Sequence, residues 1–197
     1  MFLGSLTAAL LLQGCTSAPQ PNPVAELIDE HSLVAGLPTS PPYFLGIEPG
    51  TTTEEQLLDI LLELGIDDQC THGTSSMSCS GLLFISFDRA SHIVIAVGYR
   101  PFAPVSLEEV IDKYGDPTVV EVLQDGIPEV VRSVALIYFD RINTRLTLPT
   151  TEGWSYRITR SAPIENVAYL SDAVYQDMTD AFVVPWTGYG DYPQTLR

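Results

Sequence analysis

Apolar residues recur at helical spacing in two stretches of the chain. Leu57, Leu58, Leu61, Leu62 and Leu64 follow Thr53, while Leu107, Val110, Ile111 and Tyr114 follow Ser106. Each stretch opens on a hydroxyl residue with Gln56 or Glu109 three positions later. In that pattern the cap side chain and the third residue satisfy each other's free backbone N–H groups. The acidic pairs Glu54-Glu55 and Glu108-Glu109 fall in the first turn, where they suit the positive end of the helix dipole. Gly65 and Gly115 stand where a left-handed residue closes a helix, and Pro117 prevents continuation of the second. Two capped helices are predicted.

Period-two patterns follow each helix. Leu82-Leu83-Phe84-Ile85-Ser86-Phe87-Asp88-Arg89 and Val134-Ala135-Leu136-Ile137-Tyr138-Phe139-Asp140-Arg141 share Ile, Phe, Asp and Arg at corresponding positions, 52 residues apart. The helix openings at Thr53 and Ser106 are 53 apart. Further strands are expected over residues 93–99 and 145–148, with Asp88-Arg89 and Asp140-Arg141 as turn devices rather than catalytic groups. Each unit therefore reads as a helix followed by a hairpin, duplicated in tandem. Residues 119–123 and 130–139 form a second strand pair, and residues 154–160 alternate Trp154, Tyr156 and Ile158 against polar neighbours. Residues 166–179 are ambiguous, with Leu170, Val174 and Met178 at helical spacing around Ser171-Asp172. Upstream, Leu27, Ile28 and Leu33 fit a short amphipathic helix, and Pro38, Pro41 and Pro42 interrupt regular structure. The folded region is expected to begin near Tyr43.

In the paired strands, Leu83, Ile85, Phe87, Ala135, Ile137 and Phe139 share one face. Leu82, Phe84, Ser86, Val134, Leu136 and Tyr138 share the other, which is more apolar than a solvated face requires. Two readings stay open. That face is a partner or ligand surface carried by Phe84, Leu136 and Tyr138, or the C-terminal segment or the other unit covers it.

The N-terminus reads as an address. Residues 2–12 are apolar but too few for a membrane-spanning helix, which needs roughly 20. They fit the apolar region of a secretory signal. Leu12-Gln13-Gly14-Cys15 resembles the lipobox of bacterial lipoproteins. That resemblance implies a signal over residues 1–14, lipid on Cys15 (palmitate among its acyl chains), and an exported protein. The protein would be held at the cell membrane or outer membrane, facing the periplasm or the cell exterior. Acyl chains contribute roughly 0.8 kcal/mol per buried CH₂, which anchors a protein without a spanning helix. Residues 15–42 then serve as lipidated cysteine and flexible linker. The first unit covers residues 43–101, the second 102–165, and a C-terminal extension 166–197.

Composition narrows the partners. With 25 acidic and 9 basic residues the formal charge is −16, which opposes binding to nucleic acid or docking on anionic lipid headgroups. Once Cys15 is set aside, Cys70 and Cys79 are the remaining cysteines. In an oxidising compartment they are expected to pair and to stabilise by roughly 2–3 kcal/mol through loop closure. Zinc needs four ligands at short spacings, and calcium needs a glycine-containing loop ending in glutamate; neither pattern occurs, and no metal or other cofactor is expected.

The stretches Gly50 to Gly65 and Ser106 to Pro117, with their hairpins, resemble the units of small outer-membrane-assembly lipoproteins of the SmpA/OmlA, or BamE-like, group. In tandem they resemble the β-lactamase inhibitor protein. The resemblance implies an α+β fold of two tandem helix-plus-antiparallel-meander units, helices packed on one sheet face, working by protein–protein contact without a catalytic residue. The first unit departs from the pattern, carrying the cysteine loop where the second has Asp116-Pro117.

No nucleophile elbow, phosphate loop or zinc-protease helix appears. His72 beside Ser75 and Ser76 would need an orienting carboxylate and an oxyanion pocket to serve a hydrolase, and it reads instead as a solvated loop residue. Trp186, Tyr189 and Tyr192 form an aromatic tail of the kind that stacks on sugars or docks on its own domain. The expected function is a non-catalytic envelope module that binds or assembles with a protein partner. The alternatives are an envelope enzyme, or its accessory, acting on wall polymer or peptide, and a small-ligand-binding lipoprotein.

Overall fold

The computed structural model describes residues 22–35, 43–127, 130–180 and 183–195. Both predicted helices form where their caps place them. Helix α2 (Glu54–Glu63) starts with the Gln56 N–H donating to Thr53 Oγ1 and the Thr53 N–H donating to Gln56 Oε1. Helix α3 (Leu107–Tyr114) repeats this with Ser106 and Glu109. Gly65 and Gly115 take positive φ of 67° and 85°.

The strands are β1 (Cys70–His72), β2 (Ser76–Cys79), β3 (Leu83–Phe87), β4 (Val94–Tyr99), β5 (Val119–Ile127), β6 (Val130–Phe139), β7 (Thr144–Thr147), β8 (Thr151–Glu152), β9 (Ser155–Ile158), β10 (Asn166–Leu170), β11 (Val184–Pro185) and β12 (Gly190–Pro193). The fold is α+β: an antiparallel sheet in the order β1-β2-β3-β4-β10-β7-β6-β5-β11, with β8 also on β6, and a separate β9–β12 ribbon. The turns after β3 and β6 are built by the Asp residues. Asp88 Oδ1 accepts from the Ala90 and Ser91 N–H groups, and Asp140 opens a 3-10 turn closed by Asn143 at φ 43°.

Register fixes two faces. The row Leu83, Tyr99, Val167, Leu146, Ile137 and Val120 runs across the inner face, all essentially buried. Leu57 and Leu61 of α2, and Leu107 and Val110 of α3, pack into the same core. Leu58 and Leu62, expected on the apolar side of α2, lie one position further round the helix and stay exposed.

Three expectations need correction. First, helix α1 (Pro23–His31) buries Val24 and Ile28 completely in the main core, so the fold takes in residues 22–35, ahead of the Tyr43 boundary. The Leu33 N–H donates to the Tyr99 hydroxyl oxygen at 2.7 Å, and the Leu33 carbonyl accepts from Tyr114 and Lys113. Second, the C-terminal extension supplies the sheet's middle strand: β10 lies between β4 and β7. Third, the helices do not share one face. Helix α4 (Asp172–Thr179), which starts where Ser171-Asp172 predicts, packs on the outer face with Leu136, Tyr138 and Leu170. Because β10 is inserted, β2-β3-β4 and β5-β6-β7 run outward from it in opposite directions, while their matching residues Ile85 and Ile137 stay on one face.

Candidate binding surface

The outer face is half covered. Its central row is Phe84, Gly98, Ala168, Arg145, Tyr138 and Val119. Helix α4 lies over the β5-β6-β7 end. There the Tyr138 and Tyr175 rings meet edge-to-face at 6.1 Å, and Tyr138 donates its hydroxyl to Glu121 Oε2 at 2.9 Å. Burial, then the Glu121 charge, drives the Tyr138 phenol well above its ordinary pKa, so it stays a neutral donor. Burial likewise pushes Tyr175 up to about 12.

The three expected partner-binding residues therefore separate. Tyr138 is fully buried and Leu136 nearly so, both beneath α4, which removes them from any docking surface. Phe84 remains at the surface, 36% exposed. It borders a groove of about 230 Å3 whose floor is Ala96, Gly98 and Ala168 and whose far side is Arg145, Thr147 and Asn166. The Arg100 guanidinium lies 5.5 Å from the Phe84 ring centroid. Gly98 is required here: a Cβ would come within 2.9 Å of the Val167 carbonyl oxygen. Small residues in the middle of the row and large ones at its ends make the trough.

Cys70 and Cys79 form a disulfide across the β1–β2 hairpin. The hairpin turns His72 toward Glu54: Glu54 Oε1 is 3.8 Å from His72 Nδ1, and Glu54 Oε2 is 2.7 Å from His92 Nδ1. This cluster ties the hairpin, the start of α2 and the turn after β3 together, three segments far apart in sequence. Sequence reasoning placed His72 with its neighbouring serines and missed Glu54, because the pairing depends on how the hairpin folds back. Among the described residues no group of three or more His, Cys, Asp or Glu is arranged to hold a metal ion.

A larger cleft, about 570 Å3, lies between residues 48–51, the turn after β3 and the start of α4. Ile93, Ile95 and Val174 line it together with Glu48, Asp88 and Asp172. The Asp88 carboxylate is held below its ordinary pKa by hydrogen bonds from Ser91 and Ala90. It serves as a turn acceptor, not as a proton donor at neutral pH. The aromatic tail folds on itself: Trp186 stacks on Tyr192 at 5.9 Å, Tyr189 meets Trp186 edge-on, and Arg160 lies over Tyr189. Tyr192 is buried and donates its hydroxyl to the Gly188 carbonyl.

Cys15 lies outside the described residues, and among those described no helix is long and apolar enough to cross a membrane. Comparison with family models, with curated proteins and with solved structures returned no match.

Proposed function

We propose that this chain is a non-catalytic lipoprotein of the cell envelope, anchored through lipid on Cys15, that acts as a protein-binding or assembly module. The observation that carries this reading is the open half of the outer sheet face, where an aromatic ring borders a shallow trough instead of being covered like the other half. Interfaces draw on such aromatic anchors beside complementary polar groups. The short edge strands, one ending in Pro185, make pairing along the sheet edge a poorer route for a partner.

The kinship with tandem SmpA/OmlA-like units belongs to the same proposal in a weaker form. The shared capping boxes and Ile-x-Phe-Asp-Arg strand ends support a relationship between elements. Two rigid copies would have the same hand. Here the hairpins run oppositely from β10 with their apolar residues on one face, so the support for a relationship comes from the helix starts and strand ends and not from whole units.

Crosslinking followed by affinity capture of the lipidated protein from native membranes tests the binding role. Wild type is expected to retain a stoichiometric protein partner, and Phe84→Ser to lose it while remaining folded. Capture that persists in Phe84→Ser removes the surface from consideration. Small-ligand binding is the competing reading, favoured by the 570 Å3 cleft, whose size suits a small molecule; Phe84→Ser leaves that cleft intact. For the anchor, Cys15→Ala is expected to move the protein from the membrane to the soluble fraction on cell fractionation, and continued membrane retention counts against lipidation there.

A further inference from the structure

We infer that the trough between Phe84 and Arg145 receives a carboxylate from an acidic, partly apolar segment of the protein partner. The inference rests on the binding role proposed above and adds the chemistry of the contact.

The trough reverses the charge of the molecule. The chain has 25 acidic and 9 basic residues, yet the trough is lined by Arg145 and by no Asp or Glu. Arg100 adds a second cation at its rim, over the Phe84 ring. Three ion pairs occur among the described residues, and Arg145 takes part in none of them. Its Nη1 donates to the Met178 sulfur at 3.5 Å, a weak acceptor, its side chain also hydrogen-bonds the Tyr138 hydroxyl, and its Nε–H is buried without an acceptor. A guanidinium presents a planar fork that matches a carboxylate through two parallel hydrogen bonds. This one is partly buried, and its fold partners are the neutral Tyr138 hydroxyl and Met178 sulfur, so an incoming carboxylate supplies the charged acceptor that no ion pair among the described residues gives it. Between the two large side chains, Ala96, Gly98 and Ala168 leave an apolar floor. In register, Phe84 and Arg145 are three strand spacings apart, roughly 14 Å at about 4.8 Å per spacing. That span accommodates a short extended segment with its acid on Arg145 and an apolar side chain against Phe84.

The test uses the full-length protein in detergent micelles and two probes, acetyl-Leu-Glu-Leu-amide and its Gln counterpart, followed by NMR. The Glu peptide is expected to shift the Arg145 Nε–H signal and the Gly98 and Ala168 amides saturably. The Gln peptide should bind at least about tenfold more weakly, since it loses the charge-assisted pair. This comparison is made on the wild-type chain and depends on no variant. No saturable shift, or equal shifts from both probes, overturns the inference. Arg145→Lys keeps the charge without the fork and is expected to weaken Glu-peptide binding by about tenfold; unchanged affinity overturns the assignment to Arg145.

Membrane capture separates the carboxylate contact from the surface that carries it. A partner lost from both Phe84→Ser and Arg145→Met supports both. Loss from Phe84→Ser alone, with Arg145→Met folded and still binding, overturns the carboxylate contact and leaves the surface. Retention by both overturns the two together, and capture of a second copy of this chain alone overturns the foreign partner.

Discussion

Replacing Tyr169 with Ala is expected to remove about 3–5 kcal/mol of stability, the range seen for emptying a large aromatic site in a core. Tyr169 is 2% exposed, and its ring stacks on Phe44 at 5.8 Å and lies 6.3 Å from Tyr99. It projects from β10 into the place where the two halves of the sheet meet α1 and the loop around Phe44. No neighbour can collapse into that space without moving β4 or β7. Because single domains are stable by only about 5–15 kcal/mol, the loss takes much of the reserve. Urea unfolding of the full-length protein measures it, and a change below about 1 kcal/mol, the scale of a typical single substitution, contradicts the central role of β10.

The second large effect is expected at Ile28. Truncation to Ala should cost about 2–5 kcal/mol, because a fully enclosed side chain leaves a cavity that α1 and the sheet cannot close. Were residues 22–35 a tether, the same change would stay within about 0.5 kcal/mol. The helix is also held by its exit: the Leu33 N–H reaches the buried hydroxyl of Tyr99, and the Leu33 carbonyl takes the Tyr114 hydroxyl at 2.8 Å. Thermal unfolding of Ile28→Ala beside Leu27→Ala, a partly buried neighbour on the same helix, separates core packing from helix propensity.

Sequence patterning made some of this fold legible and left the rest hidden for identifiable reasons. Thr53 with Gln56, and Ser106 with Glu109, announce their helices because a capping box is a local device whose partners sit three residues apart. The alternation around Ile85 and Ile137 marks strands because one of their faces is much more deeply enclosed than the other over the first hairpin. The five residues of β10 defeat this reasoning. Val167 and Tyr169 face the main core, Ala168 and Leu170 face the other side, and Leu170 is buried under α4 as well. Apolar on both faces, the segment shows no period and runs straight into a helix cap. At the candidate surface, the outward direction of Phe84, Leu136 and Tyr138 was readable from parity alone. Which of them remains at the surface was not, since it depends on where α4 lands. Arg145 was invisible for the same reason: its place along the trough, in none of the three ion pairs among the described residues, is a fact of three dimensions.

The place of β10 in the chain has a further consequence, for the order of assembly. Both flanking hairpins are complete in sequence long before residue 166, but neither β4 nor β7 has its second neighbour until β10 has been made. During synthesis the chain therefore passes through a stage with two unpaired strand edges. These carry Val97, Tyr99 and Leu146, residues that the finished protein encloses. Open apolar edges of this kind invite pairing with other chains. Long-range pairings that wait on late residues also slow folding. A chain cut before Asn166 would be left permanently at this stage, so the last thirty or so residues determine whether the earlier ones close on each other or on a neighbour.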